Sequence, residues 1–226
     1  MKVLISAGPM RTYIDPIRYV QNSSSGVLGL EIARALKARN PHLEITSLVG
    51  PVDSAVREGF AELGSVLPYA TAQDYERNLL PAFTTCDLFV SCAAVLDFSV
   101  DTSPTKLARQ DLENLPELRL PKANVPDYAG WVGNEFKTAR QKIFAFSLDT
   151  AAEASAIMRA KEKVLDKNAD WIFVNFATDT QGPEKSLSSG VILNHQGDIA
   201  KRLRESPKAL IAGEIADFLI KETPLL

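Results

Sequence analysis

The sequence predicts an α/β fold of the Rossmann-like, doubly wound type, built on a mostly parallel sheet. Three observations carry this expectation. Strand-like and helix-like patterns alternate along most of the 226 residues, as in repeated βα units joined by right-handed crossovers. The run Asp87–Ala93 is nearly all apolar, which suits a central parallel strand covered on both faces. The first strand leads through a small-residue loop into a helix, an arrangement that leaves backbone N–H groups open to an anion at the helix N-terminus.

The elements follow in order. Lys2–Ser6 reads as the first strand, on Val3, Leu4 and Ile5, and a long polar loop follows it. Gly26–Arg39 reads as a helix because Gly29, Ile32, Ala33 and Leu36 share one face at helical spacing. Glu44–Val49 is a second strand, stopped by Gly50-Pro51. Ser54–Leu63 is a weak helix, Ser65–Tyr69 a third strand, and Ala72–Thr84 an amphipathic helix carrying Leu79, Leu80 and Phe83. After the fourth strand, Asp87–Ala93, the alternation fails from Asp97 to Gly130, where Pro104, Pro116, Pro121 and Pro126 mingle with Lys106, Arg109, Arg119 and Lys122. So long an irregular stretch inside a compact domain is usually functional or mobile, so a mobile flap is expected here. Leu112–Leu120 is compatible with short strands. The pattern resumes with a strand at Lys142–Ser147, a helix at Ala151–Lys167 and a strand at Trp171–Val174. Val191–Leu193 reads as a strand or as one limb of a protruding hairpin near Gln181–Gly197, a candidate dimerisation protrusion. Pro207–Ile220 closes the chain as an amphipathic helix with Leu210, Ile211, Ile215, Phe218 and Leu219 inward. Residues 1–226 are read as a single domain without internal repeats.

Composition narrows the function classes. Hydrophobic residues make up 46% and charged residues 23%, as in ordinary soluble domains. The net charge of −3 gives no electrostatic reason to expect nucleic acid. No apolar run approaches the roughly 20 residues of a membrane span, and the strand-like N-terminus lacks a secretory pattern; a cytoplasmic place is expected. Cys86 and Cys92 have the spacing of neither a zinc pair nor a CxxC motif, so free thiols in a reducing compartment are expected. His42 and His195 fall in polar loop-like contexts, which points away from a structural metal site and from imidazole acid–base chemistry.

A dinucleotide reading fails on details. The Gly-x-Gly-x-x-Gly turn is replaced by Gly8-Pro9-Met10-Arg11, and the second strand ends Leu48-Val49-Gly50-Pro51 with no carboxylate at its tip. No Gly-Lys-Ser/Thr occurs for a Walker loop, and no Tyr-x-x-x-Lys pair supports a short-chain NAD(P) oxidoreductase.

Four patterns remain: AGPMRTYIDPIRYVQNSSSGVLG at residues 7–29; Ser91-Cys92-Ala93-Ala94-Val95-Leu96-Asp97-Phe98 with Lys106-Leu107-Ala108-Arg109 after it; Ala145-Phe146-Ser147-Leu148-Asp149-Thr150; and Ala160-Lys161-Glu162-Lys163 followed by Lys167-Asn168-Ala169-Asp170-Trp171-Ile172-Phe173-Val174-Asn175. In this order, and over essentially the whole chain, they resemble the phosphopantothenate–cysteine ligase family (phosphopantothenoylcysteine synthetases) of coenzyme A biosynthesis. The first pattern is long and specific; the others are short. With no room for the flavin-dependent decarboxylase domain often fused to that enzyme, a free-standing ligase is expected.

The resemblance implies a reaction and its participants. CTP, or ATP in some members, activates the carboxylate of 4'-phosphopantothenate as an acyl-nucleotide; pyrophosphate leaves and the cysteine amine attacks. Mg²⁺ accompanies the triphosphate, and family members are homodimers. Asn22, Arg18 and Lys106 take the family's catalytic positions: Asn22 at the acyl-nucleotide, Arg18 neutralising the same region, Lys106 facing the triphosphate from the flap. Gly8, Ser24, Ser25, Gly26, Ala93, Ala94, Asp97, Phe146, Lys163 and Lys167 take nucleotide- and phosphate-binding positions. Arg11 is a further donor of the same loop.

Each residue also has a bland reading. Serines cap helices whatever the ligand, a loop asparagine suits a turn, Arg18 and Lys106 could be solvated surface charges, and Ala93 and Ala94 could be close packing. Lys163 and Lys167, four apart, share one helix face that could simply face water. The chain also departs from the family pattern. The KxKK cluster is reduced to Lys106 and Arg109, and in the GFAAET block alanine replaces glycine at Ala145 and aspartate replaces glutamate at Asp149. A catalytically altered paralogue, acting as a nucleotide- or phosphopantothenate-binding module, is the rival reading.

Overall fold

The structure, a computed structural model, describes residues 1–110, 119–176 and 187–223. Among these residues ten strands run β1 (Lys2–Pro9), β2 (Arg11–Tyr13), β3 (Tyr19–Gln21), β4 (Glu44–Val49), β5 (Gly64–Pro68), β6 (Leu88–Ala94), β7 (Lys142–Asp149), β8 (Trp171–Phe176), β9 (Leu187–Asn194) and β10 (Ile199–Pro207). The described helices are α1 (Val27–Arg39), α2 (Ser54–Ala61), α3 (Ala72–Phe83), α4 (Tyr128–Glu135), α5 (Glu153–Asp166) and α6 (Lys208–Glu222).

The main sheet has the order β10-β9-β8-β7-β6-β1-β4-β5. Strands β5 to β8 in that row are parallel, and β9 and β10 extend one edge antiparallel. Side chains of β1 alternate between two cores, as a two-residue period requires. Val3, Ile5 and Ala7 join a cluster with Leu30, Phe60 and Ile215, from α1, α2 and α6. Leu4 joins Tyr75, Leu79, Val132 and Val164, from α3, α4 and α5, on the other side. The molecule is therefore a three-layer α/β/α sandwich, the predicted class.

The chain leaves β1 toward β4 and β5 on one side, then returns to build β6, β7 and β8 on the other. The loops beyond the carboxyl ends of β1 and β6 part there, opening the crevice where doubly wound sheets bind ligands.

Four differences from the sequence reading stand out. The long polar loop after β1 holds a hairpin, β2–β3, in register Arg11↔Gln21 and Tyr13↔Tyr19. Val191–Leu193 is a strand, the first of its two readings, and not a protruding limb: it lies in β9, which pairs with β8 and β10 inside the main sheet, while residues 181–186 of the expected protrusion lie outside the described residues. The flap ends before Gly130, because Asp127 already caps α4. Its two limbs pair at the base, with a Phe98↔Lys122 bridge and bonds from Ser99 N–H to the Pro121 carbonyl at 2.9 Å and from Ala123 N–H to the Asp97 carbonyl at 2.9 Å. Most of the segment compatible with short strands lies outside the described residues.

Candidate functional site

A cleft of about 1330 Å³ opens at the carboxyl rim of the sheet. Its floor at the switch point is β6, whose Ala93 and Ala94 pair in parallel register with Gly8 and Pro9. One wall is the loop Asn22–Gly26 and the first turn of α1. The opposite wall comes from the carboxyl ends of β7 and β8 and from Lys163 and Lys167 at the end of α5.

The wall at α1 is built by glycine conformation. Gly26 sits at the N-cap with φ 74° and offers no side-chain cap to the helix. Gly8, beneath it, has φ 91°. Left-handed backbone costs an L-residue about 1–2 kcal/mol. A Cβ on Gly26 would also lie 2.9 Å from Val52 Cγ1. With no carboxylate in the first turn and no side-chain cap, the α1 N-terminus presents N–H groups and its positive dipole end to the cleft. Asn22 closes this wall against the floor: its Nδ2 donates to the Val95 carbonyl at 2.8 Å, joining the loop after β1 to the end of β6.

Of the residues singled out in the sequence, Asn22, Ser24, Ser25, Gly26, Ala93, Ala94, Asp97, Phe146, Lys163 and Lys167 all line the cleft. Gly8, Arg18 and Lys106 do not. Gly8 lies behind the wall, with its carbonyl and that of Ala7 each 2.9 Å from the Tyr69 hydroxyl that donates between them. The Arg18 guanidinium is bound to Asp15 Oδ2 at 2.6 Å and to the Leu107 carbonyl at 3.3 Å. Lys106 is exposed on the arm next to that contact. Arg11 stacks over the Tyr19 ring at 4.0 Å and donates to Gln21 Oε1 at 2.9 Å; it stiffens the hairpin.

The lysines of the far wall already have partners. Lys163 donates to Ser147 Oγ at 3.0 Å, and Lys167 is ion-paired with Asp127 at the start of α4. Asp149, the residue in the place of the family glutamate, is engaged by Arg159 at 2.7 Å and accepts from Ala151 N–H at 2.9 Å; the Arg159 bond and that N–H hold its carboxyl below the ordinary value.

Ser188 and Lys208 line the cleft without having been singled out in the sequence. Asn175 Oδ1 accepts from the buried Ser188 hydroxyl at 2.8 Å, which orients the amide. Asn175 ends the fourth motif and falls at a strand end, on the rim where the sheet rule puts ligands, but Ser188 lies on a part of β9 that the sequence did not mark. Lys208 reaches the same rim because β10 runs parallel to β8 two strands away, so α6 starts at the ligand side. Burial pushes its ammonium down. A strand ending in proline directly before an amphipathic helix was the available signal. Cys92 also lines the cleft as a free thiol, pushed up to about 12 by burial, and so it stays protonated at neutral pH. Cys86 is free and buried.

The arrangement suits a polyanionic ligand. An uncapped helix N-terminus faces lysines across a large cleft, with the Phe146 ring and small floor residues between them. Among the described residues two carboxylates line the cleft, Asp97 and Asp127, and they bear on Mg²⁺. Asp127 is committed to Lys167 and to Gly130 N–H at 3.2 Å, while Asp97 is exposed at the end of the floor. One carboxylate fits a Mg²⁺ held chiefly by phosphate oxygens and water.

Residues 1–223 match the family of the DNA/pantothenate metabolism flavoprotein C-terminal domain. The chain is 33% identical over 179 residues to a cysteine/cysteine sulfinic acid decarboxylase of an unknown prokaryotic organism, covering 79% of this chain and 46% of that protein. It is 32% identical over 177 residues to the coenzyme A biosynthesis bifunctional protein CoaBC of Haemophilus influenzae, covering 77% of this chain and 40% of that one. It thus spans under half the length of these curated relatives. A solved Cab2 mutant in complex with phosphopantothenate-cysteine shares the fold, with TM-score 0.68 at 17% identity over 99% of this chain and 88% of that one. The end-to-end match agrees with the resemblance carried by the four motifs: the chain belongs to the DNA/pantothenate metabolism flavoprotein C-terminal domain family.

Proposed function

We propose that the cleft binds a nucleoside triphosphate, CTP or ATP, beside 4'-phosphopantothenate and joins the latter to cysteine. One observation carries the reading. Motifs from four distant parts of the chain converge on a single cleft at the switch point, each contributing residues to its lining. The Cab2 complex, on the same fold, supports phosphopantothenate-cysteine as the kind of product the cleft would hold.

In this reading the phosphopantothenate carboxylate attacks the α-phosphorus and the bond to pyrophosphate breaks. The cysteine amine then attacks the acyl carbon, loses a proton, and displaces nucleoside monophosphate. Such steps depend on positioning and on positive charge placed where negative charge develops. Ser24, Ser25 and Gly26 present the α1 N-terminus to phosphate. Asn22 sets the acyl group against the floor of Ala93 and Ala94 without changing charge. Lys163 and Lys167 trade Ser147 and Asp127 for phosphate oxygens, and Phe146 packs beside the base or the pantothenate arm. Asp97 would hold Mg²⁺, which when bound neutralises the triphosphate. Lys106 approaches the triphosphate from the arm. A homodimer and a cytoplasmic setting go with this reading.

The test is direct. Incubated with phosphopantothenate, cysteine and Mg²⁺, the protein is expected to release pyrophosphate with CTP or with ATP. Absence of release with both, while either nucleotide still binds, would replace the ligase by the binding-module reading.

A further inference from the structure

Asp15 is a carboxylate with no exposed surface. Its Oδ1 accepts from Ile17 N–H at 2.9 Å and Arg18 N–H at 2.7 Å, closing the β2–β3 turn. Its Oδ2 accepts from the Arg18 guanidinium at 2.6 Å and from Leu107 N–H at 3.2 Å. Arg18 donates to the Leu107 carbonyl at 3.3 Å as well, so one ion pair grips both backbone groups of an arm residue. Two more bonds run beside it: Thr102 Oγ1 to the Tyr13 carbonyl and Ser103 N–H to the Ile14 carbonyl, both 2.8 Å. Lys106 immediately precedes the gripped residue.

A turn alone does not call for this charge. A neutral asparagine or serine closes an Asx-type turn, and an enclosed carboxylate is costly unless fully paired. The acceptors beyond the turn are spent on Arg18 and Leu107, which bind the arm. We propose that Asp15 is a positioning residue: with Arg18 it seats the arm on the β2–β3 turn and thereby sets where Lys106 stands, so that Arg18 acts through this seat and not on the ligand. The role given to Lys106 rests on the ligase reading; the seat does not.

Misplacing a phosphate-binding group by about 1 Å can cost about 100-fold in rate. Wild type, Asp15→Asn, Lys106→Gln and the double variant are compared by amide hydrogen exchange and by pyrophosphate release. Asp15→Asn is expected to speed exchange at Leu107 and Ser103 at least tenfold while amides of β1 and β6 stay protected. It should raise the nucleotide KM at least fivefold and leave the cysteine KM unchanged. The double variant should be no slower than Lys106→Gln, because both changes act through one group. Unchanged exchange at Leu107 overturns the proposal, as do losses that multiply in the double variant. If the wild type proves inactive with CTP and ATP, the ligase reading fails by itself and Leu107 exchange still decides on the seat. If Asp15→Asn fails to fold, Arg18→Gln, which keeps the turn acceptor, takes its place with the same expected and overturning results.

Discussion

Asn22 spans the switch point with its donation to Val95, and its substitution tests the cleft most sharply. Asn22→Asp sets a carboxylate oxygen against the Val95 carbonyl and a negative charge beside an anionic ligand. Turnover is expected to fall at least about 100-fold, and stability by about 1–2 kcal/mol through the lost hydrogen bond. Pyrophosphate release and urea unfolding measure the two effects separately. Asn22 and the serines were legible because their residue types at a helix start already specify donors for an anion. The surroundings of Arg18 were not legible, for an equally physical reason: it pairs with Asp15, which the fold buries, and with a backbone carbonyl 89 positions away, and neither that burial nor the distant contact is written in local sequence. Asp149 is similar, since its engagement with Arg159 depends on how β7 and α5 pack.

At the scale of the element, the start of α1 depends on backbone conformation. Gly26→Ala places a Cβ at φ 74° and against Val52, so a loss of about 1–2 kcal/mol is expected. The helix start should shift with it and weaken the anion site. Chemical denaturation checks the first expectation, and thermal unfolding with and without CTP the second. Helices α1 and α3 were legible through their apolar spacing and α5 through its run of good helix formers, and α3 carries a capping box of Thr71 and Asp74 that marks its start. Helix α4 was not: it is short, contains two glycines, and relies on the Asp127 cap and on burial of Tyr128 and Val132. Strand β10 was missed because it lies at the sheet edge with Lys201, Arg202 and Arg204 along it, and charge on an edge is how sheets avoid further pairing.

The whole molecule is tied together at the rim opposite the cleft. Asp170, just before β8, accepts from Lys137 and Lys142 at 2.8 and 2.9 Å and from Ile143 N–H at 2.9 Å. Burial pushes its carboxyl up, but the two lysines and that N–H outweigh it and hold it below the ordinary value. A carboxyl lowered by folding contributes stability above its unfolded value and loses it as pH falls through the folded one. Asp170→Ala is therefore expected to cost about 2–4 kcal/mol near neutral pH, with the gap closing below about pH 4. Unfolding curves across pH test this. Turnover per folded molecule should stay unchanged, because the cleft lies at the other ends of the strands.

What the sequence determined alone was the parallel sandwich and the residue types on its ligand rim. Hydrophobic period and turn chemistry are local properties, and the sheet rule converts strand ends into site positions. Only the tertiary structure decided which of those residues share the cleft, because that depends on contacts between segments far apart in the chain. It placed Lys208 and Ser188 on the rim through the antiparallel edge. It also set Arg18 outside the cleft lining, paired with the buried Asp15 and with the Leu107 carbonyl.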